Sequence, residues 1–265
     1  MVISMKYWAV SKNSFIINMS YRLDLFGNII NAMVMILVNI AIWNAIYSED
    51  NTFDGFQFNM ILTYVILSLN ITYIFSMDDY FIEKKIRSGS IVNDLTKPTN
   101  FFIYIFFYNF GITLFKITIV LIPSIVIFGL IFNILPPFSV LFFFAFLLSI
   151  ILGYFVIYCI NFIVWMTAFW FKRIFSLVTL KDVMILLFSG AVIPLWFMPQ
   201  WLIDIIKLTP LDSILYTPLL IYLGQLPVSE MIYSVSKQIL WIIILFLCNM
   251  ILWRQAIKKI DIHGG

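Results

Sequence analysis

Apolar residues in this chain come in long uninterrupted runs, and polar residues gather in short clusters between them. Neither the alternation of a half-buried strand nor the narrow stripe of a surface helix prevails. Runs of about 20 apolar residues match the length of a membrane-crossing helix. Six are read here: roughly 25–47, 57–77, 101–132, 138–170, 175–197 and 232–253. The third and fourth exceed that length, which predicts tilt, a kink at Pro123 or projection beyond the hydrocarbon. A transmembrane barrel would need alternating strands of ~10 residues, and none is legible. The pattern predicts an all-α integral membrane protein with six transmembrane helices, folded as a single domain over residues 1–265.

Two segments are too polar or too broken to cross. Within residues 1–24, the stretch KYWAVSKNSFIINMSYR (6–22) mixes aromatic and basic residues and predicts an interfacial helix. It lacks the continuous apolar core and small-residue cleavage site of a signal peptide. Residues 197–224 carry Pro199, Pro210 and Pro218, which predict short helices forming a hairpin that dips back into the outer leaflet.

Charge sets the orientation. The chain is 63% hydrophobic and 11% charged, so each cluster of charge is informative. Of 16 basic residues, 13 fall on one side: in the N-terminal segment, the loops after the second and fourth runs, and the tail. The opposite loops hold Glu49, Asp50 and Asp54, then Asp204, Lys207, Asp212 and Glu230, with Lys237 at the outer start of the sixth run. The positive-inside bias places both termini and the 78–98 loop in the cytoplasm.

That loop concentrates eight charges between Asp78 and Lys97, four of each sign. Asp78 and Asp79 suit a helix start, Gly89 suits its end, and Lys97-Pro98 breaks the chain before the third run. Phe81, Ile82 and Ile86 supply apolar anchors. The segment reads either as a helix on anionic headgroups or as a docking site for a soluble protein. Balanced charge favours docking.

The catalytic inventory is close to empty. There is no G-x-x-x-x-G-K-[ST] phosphate loop, the one histidine is His263, and no pair of carboxylates sits within a run. Cys159 and Cys248 lie in apolar runs and read as small hydrophobes. An enzyme is not expected, nor nucleic acid as a partner, nor a metal or cofactor on this chain. Within the runs, Lys116 must face a partner helix or a cavity, because a lipid-facing lysine costs at least ~2.5 kcal/mol. A hydrogen bond to backbone carbonyls and a substrate or gating role are both open for it. Lys181 and Asp182 pair with neighbours or snorkel. Asn70, Asn109 and Asn161 suit helix–helix hydrogen bonds. Abundant Phe suits lipid contact, and also an apolar cavity for a hydrophobic or amphiphilic substrate.

Three blocks carry a resemblance. The pattern E-x-x-x-R-S-G-S-I-x-x-x-L-x-K-P-x-N from Glu83 resembles the cytoplasmic segment of ABC-2-type transporter permeases. SGAVIPLWFMPQWLIDIIKLTPLDSILYTPLLIYLG (189–224) resembles their last outer loop, and YWAVSKNSFIINMSYRLDL their N-terminal helix. The daunorubicin-resistance and viologen-exporter-like branch is the most similar. The resemblance implies a permease of an ATP-driven exporter in a bacterial plasma membrane, paired with a second permease, either a different homologous chain, as is frequent in this branch, or a second copy of this one. Two copies of a separate ATPase, which hold the ATP and Mg, would bind beneath. Residues 80–97 would be the coupling helix, with Glu83, Lys84, Arg87, Gly89 and Asp94 at the contact. Lys116, Asp182, Pro194, Trp196, Pro199 and Trp201 are the gating or pathway candidates, the hairpin acting as an outer gate rather than only a plug. The substrate would be a drug, antibiotic, peptide or lipid-like molecule. An ion-coupled secondary transporter and a non-transporting membrane immunity or binding protein are the rival readings.

Overall fold

The computed structural model describes residues 2–20, 22–47, 52–53, 56–97, 99–171 and 173–259. Glu49, Asp50, Asp54, Pro98, Lys172, His263 and the final Gly-Gly lie outside them. The chain opens with α1 (Val2–Ser20) and α2 (Arg22–Ile46). A short antiparallel pair, β1 (Thr52–Phe53) and β2 (Phe56–Gln57), leads into α3 (Phe58–Phe75). Two short helices follow, α4 (Phe81–Arg87) and α5 (Ile91–Leu95). Then come α6 (Phe101–Lys116), α7 (Ile122–Ile131), α8 (Val140–Met166) and α9 (Phe175–Phe188). Helices α10 (Gln200–Lys207), α11 (Tyr216–Tyr222) and α12 (Val228–Ile257) complete the chain.

Among the described residues, five stretches are long and apolar enough to cross a membrane: Ile29–Ile46, Phe58–Phe75, Phe101–Ile131, Val140–Phe169 and Val228–Ile257. The protein is therefore a multi-pass helical membrane protein. Helix α3 is its centre, with 67% of its crossing window buried against 17% for α2 and α12. The outer helices turn Ile30, Val34 and Ile42, and Ile243, Leu247 and Ile251, away from the bundle.

The expected kink at Pro123 takes the form of a wide turn. Proline lacks an amide N–H, and its ring crowds the carbonyl four residues back. Between α6 and α7 the ladder loosens into a π-helical turn, Ile117–Leu121, where the Ile122 amide donates to the Ile117 carbonyl.

The expected crossing at 175–197 is not one helix. Helix α9 has 14 residues, about 21 Å of rise, short of a ~30 Å hydrocarbon core. It stops because Gly190 adopts φ 79°, where a side chain is strained, and a Cβ there would sit 2.5 Å from the Tyr64 hydroxyl. The chain continues as irregular backbone to a short 3-10 turn at Leu195–Phe197. Its polar groups are met inside the protein: Tyr64 Oη donates to the Gly190 carbonyl at 2.7 Å, and Ser68 Oγ to the Ala191 carbonyl at 2.7 Å. The Tyr216 amide donates to the Ser189 carbonyl at 3.0 Å. The segment still runs from one end of the bundle to the other. It starts where the Ile174 amide meets Glu83, and ends where the Phe197 ring stacks on Trp43 at 5.4 Å.

Helix α1 also differs from a free surface helix. It runs beside the first half of α6 in parallel register, with Tyr7 stacked on Phe107 and Phe15 edge-on to Phe115. Ser11 Oγ and Ser14 Oγ donate to the Phe107 and Tyr108 carbonyls at 2.6 and 2.8 Å. Helix α1 thus takes the inclination of α6.

Candidate functional site

The charged loop folds into α4 and α5, joined at Gly89. Gly89 has φ 71° and its amide donates to the Ile86 carbonyl, which ends α4 in a left-handed turn. Two of the predicted contact residues face inward. Glu83 is 8% exposed, and its Oε2 accepts the Ile174 amide at 3.1 Å, just ahead of α9, where a carboxylate complements the helix dipole. Asp94 is 6% exposed and accepts hydrogen bonds from Lys85 and, at 2.6 Å, Lys97. Burial alone would raise the Asp94 pKa, but the two lysines outweigh it and hold the carboxyl below its usual range. The Asp94 hydrogen bond raises the Lys97 pKa in turn. Ile82 and Ile91 bury the apolar side of the pair, and Phe81 stacks on Tyr108 at 4.8 Å.

The remaining predicted contacts, Lys84, Arg87 and Gly89, are exposed. Lys84 reaches Asp78 at 3.1 Å with both partners well exposed, an ion pair worth little. Arg87 reaches Glu83 at 3.5 Å. Asp78 also accepts the Tyr80 amide at 3.1 Å, which shapes the turn before α4, but Tyr80 occupies the N-cap and neither aspartate caps the helix. Asp79 instead bonds Lys181, which is buried and also contacts Asn161 Oδ1 at 2.8 Å and Asp182 at 2.9 Å. Burial raises the Asp79 pKa, with the Lys181 hydrogen bond opposing it. This cluster joins the loop to α8 and α9. The pairing of Asp79 with Lys181 was not legible in the sequence, because 102 residues separate them.

Lys116 lies in the middle of the 31-residue stretch of α6 and α7. Its Nζ donates to the Tyr73 carbonyl, the Ser76 carbonyl and Ser76 Oγ, at 3.2, 2.7 and 2.6 Å. These acceptors lie at the C-terminal end of α3, where the Tyr73 carbonyl also accepts the Ser76 hydroxyl. The hydrogen bonds to backbone carbonyls expected as one of its two open roles are present. The first half of α6 therefore extends past the end of α3, level with α4.

At the opposite end, Trp196 is clasped by Phe56, Tyr64 and Tyr216, with ring centroids 4.8, 5.0 and 5.9 Å away. Pro194 is buried and precedes the 3-10 turn that carries Trp196. Pro199 precedes α10, whereas Trp201 is 64% exposed and stands apart. Pro218 does not cut the hairpin. It falls in the first turn of α11, where a missing N–H costs nothing.

Helices α10 and α11 are joined by a link, residues 208–215, that forms the tip of this segment, and the end of α11 is fastened to the loop before α8. The Tyr222 hydroxyl donates to the Leu135 carbonyl at 3.0 Å, and the Phe138 amide to the Tyr222 carbonyl at 3.1 Å. The tip reaches the middle of α8, where a Cβ at Gly153 would lie 2.7 Å from the Ile214 carbonyl oxygen. Beside it is a buried polar cluster that sequence reading missed. Asp212 accepts two hydrogen bonds from Lys237, at 2.7 and 2.8 Å. Gln238 donates to the Ser149 and Ser213 carbonyls at 3.1 and 2.8 Å and accepts from Ser149 Oγ at 3.0 Å. Helix α12 starts at Val228, so Lys237 sits well inside it rather than at its start. The only signals were a lysine near an apolar run and an acid in a proline-rich loop.

Lys116, Asp182 and Trp196 thus occupy three separate places. The sequence matches the family described as ABC-2 family transporter protein over residues 33–264. No curated protein matches the chain. No solved structure matches it. That family consists of membrane components of ABC transporters, which are generally not catalytic themselves and generally pair with ATP-binding subunits. With a match over nearly the whole chain and several membrane-crossing helices, the protein belongs to the ABC-2 family of transporter permeases.

Proposed function

We propose that this chain is one permease of an ATP-driven exporter and receives its power through α4 and α5. The observation that carries this reading is the two-sided build of that helix pair. Glu83 and buried Ile82 fasten its inner side to the bundle and Asp94 ties α5 to α4 through Lys85, while Lys84, Arg87 and Gly89 stand exposed. Glu83 and Asp94 build the contact, and the exposed trio makes it. A push on α4 would pass through Glu83 to α9 and through Asp79 and Lys181 to α8.

In this reading the segment from α9 to Phe197 is the sixth crossing, half helix and half irregular chain. Irregular backbone survives at membrane depth only when buried in protein, and the bonds from Tyr64, Ser68 and Tyr216 support that. Six crossings put both termini in the cytoplasm of a bacterial plasma membrane, where the basic residues gather. The α10–α11 hairpin is re-entrant from the outer face, and Trp196 with Pro194 and Pro199 forms the outer gate. Lys116 and Asp182 act in holding the bundle rather than in touching cargo. Two ATPase copies, carrying ATP and Mg, and a second, different permease complete the transporter. Exposed apolar faces on α2 and α12 leave surface for that permease and for lipid. The cargo is amphiphilic or hydrophobic, and the branch is the daunorubicin-resistance and viologen-exporter-like one.

The test is transport in inside-out vesicles that contain this chain, its permease partner and the ATPase. ATP-dependent uptake of an amphiphilic dye, lost when the ATPase is omitted, is expected. Uptake that follows a proton gradient and ignores ATP would contradict the reading.

A further inference from the structure

A cavity of about 580 Å³ opens beside the hairpin tip, a volume suited to a small ligand. The Asp212–Lys237 ion pair lines it, and the two charges satisfy each other at 2.7 Å. Lys207 and Glu230 line the same cavity, and among the described residues neither makes an ion pair or a side-chain hydrogen bond. The cavity therefore offers one unspent cation and one unspent anion. A singly charged ligand would meet a like charge as well as an opposite one, whereas a zwitterion gains from both. Trp196 and Tyr216 add aromatic wall for an apolar body.

We infer that this cavity binds a zwitterionic amphiphile, a molecule with one ammonium and one anionic group on an apolar body. As a statement about cargo it rests on the exporter reading; as a statement about binding it does not. Two sources share this chemistry: the headgroup of an aminophospholipid and a free apolar peptide.

The full chain is purified in an uncharged maltoside, and binding is read from tryptophan fluorescence, with Trp196→Phe as the signal control. The probes are lysophosphatidylethanolamine and a leucine tripeptide. Dodecylamine and lysophosphatidylglycerol carry the single charges. At least one zwitterion is expected to bind on the order of tenfold more tightly than either singly charged probe. Lys207→Glu and Glu230→Lys each weaken it on the order of tenfold, the scale of one charge-assisted hydrogen bond. The double exchange keeps one charge of each sign and recovers binding. Binding of the lysolipid alone identifies a lipid source, and of the peptide alone a soluble one; both support the inference. Thermal unfolding of each variant shows that it is folded. The inference is overturned if folded protein binds neither zwitterion or binds either singly charged probe equally well. It is overturned too if the single changes leave affinity unaltered or the double exchange fails to recover it. No ATPase is present, so failure here is distinct from failure of the exporter reading.

Discussion

Glu83 accepts the backbone amide of Ile174 at 3.1 Å, and so a carboxylate in the charged loop is fastened to the start of α9, 91 residues away. The bond makes the loop part of the bundle. It also explains why a negative charge is buried there: the amide is an orphan donor at a helix start, and the pairing meets both needs.

Glu83→Gln keeps the shape and weakens the acceptor. It is expected to destabilise the fold by about 1 kcal/mol, the difference between a hydrogen bond to a charged group and one to a neutral group. Glu83→Ala is expected to do more and to reduce ATP-driven transport while the ATPase still binds. Denaturation midpoints in mixed micelles, compared with transport rates, check both.

The clamp of Lys85, Asp94 and Lys97 has a pH window. The folded Asp94 pKa lies below its ordinary 3.8, so its stabilisation is complete above that value and lost as pH falls through the lower folded one. The folded Lys97 pKa lies above 10.5, so its share is complete below that value and lost as pH rises through the higher folded one. A nitroxide at Ser88→Cys is expected to be immobile across the neutral range and to loosen only below about pH 4. Asp94→Asn is expected to loosen it at every pH.

Lys116→Met removes three donated hydrogen bonds from the end of α3. Unfolding is expected at a stability lower by about 1–3 kcal/mol, with binding of the cytoplasmic partner unchanged. A variant that unfolds like wild type but no longer transports would return Lys116 to the pathway.

Gly190→Ala is expected to be worse than Tyr64→Phe. The first meets both a left-handed backbone and a Cβ contact of 2.5 Å, whereas the second loses one hydrogen bond worth about 1 kcal/mol. Thermal unfolding followed by fluorescence ranks the two.

The crossings at α2, α3, α6–α7, α8 and α12 were legible because uninterrupted apolar length is a one-dimensional signal. The half-helix at 175–197 was not, because the apolar run continues past Gly190 while the backbone turns. The charged loop was legible as a place, but not by residue. Counting charges does not reveal that Glu83 meets an amide and Asp94 two lysines, or that Lys84 and Arg87 stay exposed. Asp212 and Lys237 were missed for the same reason, since their pairing depends on how deep the hairpin reaches.

The central claim is that the exposed face of α4 and α5 seats an ATPase. The most direct measurement is co-purification of the ATPase with this chain in mild detergent, read by native mass spectrometry. Wild type is compared with the charge reversal Lys84→Glu, Arg87→Glu, whose side chains are exposed, and thermal unfolding shows that the variant is folded. The account expects the ATPase with wild type and its loss with the folded double variant. An ATPase that binds both equally, or neither, would contradict it.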